Sequence, residues 1–148
     1  MTDVKKYLSQ IRRYDSRINA KLEERDRLKA MMTKITPTLR DVPSSGSGGQ
    51  DKISDAMAKL IDLEAEINSE VDSLVDARNS VVGTIDKVTD TQMHEVLCKR
   101  YIAFKTWEQI AFEIGKSYQW TWSIHGKALQ AVEEILKKSE KNATVDRN

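Results

Sequence analysis

Apolar residues recur along this chain at helical spacing, in three successive arrangements. In the middle of the chain, Ile53, Leu60, Ile67, Leu74, Val81 and Val88 keep one heptad phase without a miss. Met57, Val71 and Ile85 fill a companion row, with Glu64 and Arg78 between them. Sustained heptads with charged flanks predict coiled-coil packing. Nearer the N-terminus, Tyr7, Tyr14, Leu28 and Ile35 form one row and Val4, Ile11, Ile18 and Met32 another, interrupted by Lys21 and Arg25. The two stretches predict a long antiparallel helical hairpin over residues 1–35 and 53–89. Its seam would be built from Ile11, Ile18, Leu60, Ile67, Leu74 and Val81. The pattern leaves open whether the hairpin closes within one chain or between two, and its leftover apolar width favours an oligomer.

The stretch TPTLRDVPSSGSGGQ separates the two rows. Pro37 and Pro43 oppose helix propagation, and the Ser/Gly tract is flexible. Residues 36–52 are therefore expected to be a linker.

The third arrangement, over residues 90–136, is made of shorter pieces. Asp90 or Thr91 starts a helix whose inner face is Val96, Leu97, Tyr101 and Ile102. Thr106 caps the next helix, with Gln109 three residues later as a capping box requires. Ile110, Ala111 and Ile114 form its stripe, and small Ala111 lets another helix cross closely. Gly115 falls where this helix must end, because glycine takes the left-handed conformation at little cost. Ser117 caps the last helix. Its apolar face is Ile124, Ala128, Leu129 and Val132, and its first turns display Tyr118, Gln119, Trp122 and Ser123. Two helices joined by a tight turn, the second presenting side chains outward, are the layout of a DNA-reading helix-turn-helix. A plain helical bundle with a connecting turn has the same spacing. The polar residues 137–148 are expected to be a frayed tail.

Composition narrows the function classes. The chain has 148 residues, 39% hydrophobic and 32% charged, with two prolines and six glycines, as a helix-rich all-α protein would. Its net charge of +1 gives no global pull toward nucleic acid. Charge is nevertheless segregated. Residues 1–40 hold eleven Lys/Arg and five Asp/Glu, whereas residues 51–90 hold four and ten. Helices of opposite charge pair with each other and discourage like-with-like pairing. A rival use of Arg12, Arg13, Arg17 and Lys21 is DNA-backbone contact, against the ordinary use as a solvated, salt-bridged face. The single cysteine, Cys98, excludes an internal disulfide and suits a reducing cytoplasm. No apolar run reaches membrane-spanning length, and the N-terminus is too polar for a secretory signal.

Catalytic chemistry finds little support. His94 and Cys98 lie four residues apart and could share a metal, but nothing completes a four-ligand set. There is no phosphate-cradling glycine loop and no nucleophile elbow. The expectation is a non-enzyme without cofactor or metal.

The run EVLCKRYI, then TWEQIAFEIGKS, then IHGKALQAVEEIL resembles the fourth region of bacterial sigma factors. It is more closely similar to the ArpU- and RinA-type regulators of phages infecting Gram-positive bacteria. The likeness covers the C-terminal third, and more loosely YLSQIRRYDSRINAKLEE and the Gly/Ser-rich break. It implies a phage or prophage transcription regulator in the bacterial cytoplasm, activating a late operon. Double-stranded DNA and RNA polymerase are the implied partners, alongside self-association. Carried across by position, Tyr118, Gln119, Trp122 and Ser123 would face the major groove, with Ser117 at the helix start. Lys127 would lie near the backbone, and Thr106 and Gln109 would face phosphates. The departures are also specific. Sigma-type recognition helices carry several arginines and this one has none, so bidentate guanine reading is absent. Gln119 remains able to read adenine, and an aromatic face to touch a thymine methyl. Trp120 is expected to pack or to serve an interface, and Trp122 is divided between packing and reading. Two alternatives stay open: a terminase-small-subunit-like packaging protein, and a polymerase- or sigma-binding protein with no specific DNA binding of its own.

Overall fold

A computed structural model of the chain describes residues 2–41 and 47–147, leaving the side chains of residues 2, 35–41 and 47–50 outside the description. All regular structure among the described residues is helical, so the fold is all-α. The order is α1 (Thr2–Leu8), α2 (Gln10–Asp41), α3 (Ser47–Asp86), α4 (Thr91–Leu97), a π-helical turn (Cys98–Ile102), α5 (Trp107–Ile114) and α6 (Tyr118–Val145). No helix among the described residues is long and apolar enough to cross a membrane.

Helical backbone runs past Pro37 to Asp41 and resumes at Ser47, which narrows the linker expected over 36–52. Proline removes one helical donor, and glycine in a helix costs about 1 kcal/mol, so both weaken a helix without forbidding it. Pro43 and the rest of residues 42–46 lie outside the described residues.

The chain divides into two compact units, Tyr14–Ser73 and Met1–Arg13 with Leu74–Asn148. In the first unit, α2 and α3 of one chain run antiparallel. Arg17 pairs with Glu70 at 2.6 Å, and Lys21 with Glu66 at 3.4 Å and Glu70 at 3.6 Å. Ile18 and Ile67 are buried, and Leu60 is half-buried. The companion row differs from the expected one. Met57 and Val71 are 43% and 39% exposed, and Ala56, Leu63 and Glu70 turn inward instead. Both rows fit a seven-residue repeat, one by a three-residue step from Ile53 and the other by a four-residue step. The small Ala56 permits close approach, and Glu70 finds two cations across the seam. Each such pair is worth roughly 0–1 kcal/mol where solvent reaches it. They fix which face is inward more than how stably it is held.

The second unit gathers pieces distant in sequence. Val4 and Leu8 of α1, with Ile11, pack against Val81 and Ile85 near the end of α3 and Val88 just past it. Leu97, Tyr101, Ala128, Leu129 and Val132 complete this core. The Tyr7 hydroxyl joins the same edge, 2.6 Å from Ser80 Oγ and 2.9 Å from Thr84 Oγ1. The division expected at residue 90 therefore does not separate the compact units. With α4 and α5 only 7 and 8 residues long, the last helices leave Leu97, Tyr101 and Leu129 partly open, and residues of α1 and the start of α2 cover them. A smaller cluster of Val96, Ile110 and Ile124, packed by Trp107, Ile114 and Trp120, ties α4, α5 and α6 together.

Candidate functional site

The turn between α5 and α6 is built as its residue types require. Thr106 Oγ1 accepts the Gln109 N–H at 3.2 Å, and Gln109 Oε1 accepts the Thr106 N–H at 2.9 Å, which closes a capping box. Gly115 ends α5 at φ 68°, in the left-handed region. Ser117 Oγ then accepts the Trp120 N–H at 3.1 Å and caps α6. Thr121 is fully buried and donates its hydroxyl to the Ser117 carbonyl at 2.9 Å. That internal bond satisfies the hydroxyl of a side chain with no exposure to solvent.

With its N-terminus fixed this way, α6 presents an exposed row. Gln119, Ser123 and Lys127 are exposed, and Tyr118 and Trp122 are 45% and 39% exposed. Thr106, Gln109 and Ser117 are exposed as well, but their oxygens already serve as caps. The two tryptophans of α6 divide. Trp120 packs on the Val96–Ile110–Ile124 cluster, with the Lys116 ammonium 5.0 Å from its ring centroid. Trp122 stacks on Trp107 with centroids 4.7 Å apart, while keeping one edge in solvent. Tyr118 tilts against its other side at 6.3 Å.

Beneath Trp122 lies a buried polar pair. His125 is 1% exposed, and its Nε2 sits 2.6 Å from the Tyr101 hydroxyl. Burial, reinforced by Lys5 and Arg100, lowers the His125 pKa to about 4. Burial raises that of Tyr101 to about 12, against a smaller opposing effect of Arg100. Both groups are thus neutral near pH 7, and the His125 tautomer sets which of the two donates. Trp107 contacts the His125 ring edge-on at 4.5 Å. His125 is a core residue of the aromatic cluster and holds Trp107 and Trp122 in place.

The segment before α5 shapes one side of this cluster. The Ala103 N–H donates to the Cys98 carbonyl at 3.0 Å, a π-type bond that inserts an extra residue at the end of α4. Phe104 follows at φ 59°, a left-handed conformation costly for a bulky side chain. The result places the Arg100 guanidinium 4.7 Å from the Trp107 centroid, where it also donates to the Lys105 carbonyl at 2.9 Å. Lys99 and Lys105 are both bound to Glu113, whose carboxyl they hold below its ordinary pKa.

His94 and Cys98 do approach, with Sγ 3.7 Å from Nδ1, and Asp86 Oδ1 lies 3.1 Å from His94 Nε2. Burial, then the Asp86 charge, raises the Cys98 pKa, so the thiol stays protonated. No group of three or more potential ligands suited to a metal occurs among the described residues.

Periodicity placed the exposed row of α6 but not what surrounds it. The Trp107–Trp122 stack, the Tyr101–His125 bond and the approach of Lys5 to Trp122 join residues whose spacing carries no signal. The one available hint was the cationic N-terminal stretch, whose members take different roles. Arg17 and Lys21 are engaged with Glu70 and Glu66, whereas Arg12 lies beside the aromatic cluster. The chain matches no family model, no curated protein and no solved structure.

Proposed function

We propose that this chain is a DNA-binding transcriptional regulator of phage or prophage type. In this reading it reads promoter-proximal DNA through a sigma-region-4-like helix-turn-helix and activates a late operon in the bacterial cytoplasm, without catalysis or cofactor. One observation carries it: Tyr118, Gln119, Trp122 and Ser123 stand exposed on the first turns of a helix whose start is fixed by the Gly115–Ser117 turn. An aligned row of polar and aromatic side chains at a rigid helix start suits base-edge contact in the major groove. Gln119 is the candidate adenine reader, and the solvent edge of Trp122 or Tyr118 suits a thymine methyl. Self-association is supported by exposed Met57, Ile61 and Val71 on α3. In a symmetric dimer, half-sites would lie about one helical turn or a multiple apart.

A second reading has its own observation. Phe112 on α5 is 87% exposed, unusual for a phenylalanine with no covering partner among the described residues. It favours a protein contact beside the turn, with polymerase or a sigma factor as the partner.

The experiment is selection of genome fragments by the purified protein at physiological salt. Enrichment of a site upstream of a late operon supports the regulator. Enrichment at a packaging site replaces it with a terminase-like role. No enrichment, with polymerase captured through Phe112, replaces it with the interaction role.

A further inference from the structure

A small cavity opens beside Trp122, entirely within the unit formed by the N-terminus and the C-terminal half. Its volume is ≈ 180 Å³. Trp107, Trp122 and the Tyr101–His125 pair form its aromatic wall, and Lys5, Arg12 and Arg100 reach it from three different stretches of chain. No acidic residue lines it. Among the described residues none of these three cations has a carboxylate partner, although most other basic groups of this unit's turn region are so engaged. Lys5 instead lies 5.9 Å from the Trp122 centroid, and Arg100 stacks on Trp107. Three positive charges gathered around one concavity repel each other, and an anion relieves that repulsion.

Size narrows the class of anion. The volume is roughly ten times what one water needs, yet below the roughly 300–1,000 Å³ of ordinary ligand clefts. A single tetrahedral oxyanion fits where a whole nucleotide does not. Guanidinium groups match a phosphate by paired N–H donors, and an ammonium adds a point charge.

We infer that this cavity is a phosphate site. The phosphate can come from a nucleic-acid strand or from a free phosphate ester. The strand source rests on the DNA-binding reading above, whereas the chemistry of the site does not. Trp122 links the two, because it belongs both to the exposed row of α6 and to the cavity wall. The strand source also accounts for an otherwise awkward feature. The first half of α6 has Lys127 as its one cation for the DNA backbone, whereas phosphate contacts supply a large share of nucleic-acid affinity. Lys5 and Arg12, from the opposite end of the sequence, would supply them.

The test uses the full chain and two substitutions at exposed helical positions, Lys5→Gln and Arg12→Gln, singly and together. Inorganic phosphate is titrated at constant ionic strength while the indole N–H signals of Trp107 and Trp122 are followed. Binding to duplex DNA is measured against salt in parallel. Phosphate is expected to shift the wild-type indole signals and to leave those of the double variant unmoved. Each substitution is expected to reduce the slope of log affinity against log salt by about 0.9, one phosphate contact. Suppose DNA binds with a specificity that Gln119→Ala lowers, but both substitutions keep the wild-type slope and phosphate moves no indole signal. The phosphate site is then overturned and the DNA reading stands. If DNA does not bind, but phosphate shifts the wild-type signals and not the double variant's, the site stands with a free ester as its source.

Discussion

The Tyr101 hydroxyl lies 2.6 Å from Nε2 of a His125 that is 1% exposed, and this bond joins the π-helical turn to the first third of α6. The burial of this histidine, reinforced by Lys5 and Arg100, has a consequence for pH. The unfolded chain takes up the His125 proton near its ordinary pKa of 6.5, but the folded chain does so only near 4. Between those values the unfolded state binds more protons, so stability rises with pH. The contribution is complete above about pH 6.5 and is lost as pH falls toward 4, amounting to about 3 kcal/mol. Thermal unfolding from pH 7.5 to 4 should show this slope, and a His125→Gln variant should lack it. Equal slopes in the two proteins would place the acid sensitivity elsewhere.

Removing the other partner tests the same bond from the tyrosine side. Tyr101→Phe keeps the ring and leaves the buried Nε2 unpaired. The expected loss is about 1–3 kcal/mol in urea unfolding. The change in the His125 pKa reports the donor: a rise marks the hydroxyl as donor to the neutral ring, a fall marks the ring N–H. A variant as stable as wild type would mean that a water replaces the hydroxyl.

Gln119→Ala should separate reading from folding. The side chain is exposed and no contact of the turn depends on it. Specific DNA affinity should fall by roughly ten- to a hundred-fold, as for loss of one bidentate base contact, with melting temperature unchanged. Trp122→Ala is the less clean variant, because it also removes the stack on Trp107, worth about 0.5–1.5 kcal/mol. Unchanged affinity in both variants would remove the reading face from α6.

Gly115→Ala isolates backbone conformation. A methyl at this position would meet nothing within 4 Å, yet φ is +68°. The expected cost is about 1 kcal/mol or slightly more, entirely from the left-handed backbone. A stabilised variant in calorimetry would show that the turn relaxes to another geometry.

Ile67→Asp combined with Leu74→Asp addresses the α2–α3 seam. Ile67 is 7% exposed, so a carboxylate there is desolvated without a partner. Helicity and melting temperature should both fall substantially. A chain of unchanged size and stability by circular dichroism and light scattering would refute burial of this row.

The local grammar of the last third was legible to single residues. Asp90 Oδ1 accepts the Met93 N–H at 2.9 Å, the Thr106–Gln109 box closes, Gly115 turns left-handed and Ser117 caps α6. Each depends on residues within four positions of one another, where one side chain has few choices. The seam of α3 was legible only in part. The heptad phase through Ile67 and Val81 stands, but choosing Ala56 and Glu70 over Met57 and Val71 needed knowledge of what lies opposite. An alanine reads as weakly apolar until a helix approaches it, and a glutamate reads as exposed until Arg17 and Lys21 meet it.

The sequence by itself determined that this chain is helical, where its last helices begin, and which side of α6 faces solvent, but not that α6 runs on to Val145 through the stretch expected to fray. Those properties follow from dihedral preference, caps and the 3.6-residue period, all of them short-range. Only the tertiary structure decided that Val4, Leu8 and Ile11 complete the core under α6. It also brought Lys5, Arg12 and Arg100 to one cavity beside Trp122. The N-terminal residues share a helical period with one another, but about a hundred positions separate them from the turn and α6, and no periodicity links the two groups. Their meeting is fixed by which apolar surfaces remain uncovered once each helix has formed, a quantity that exists only when all the helices are packed.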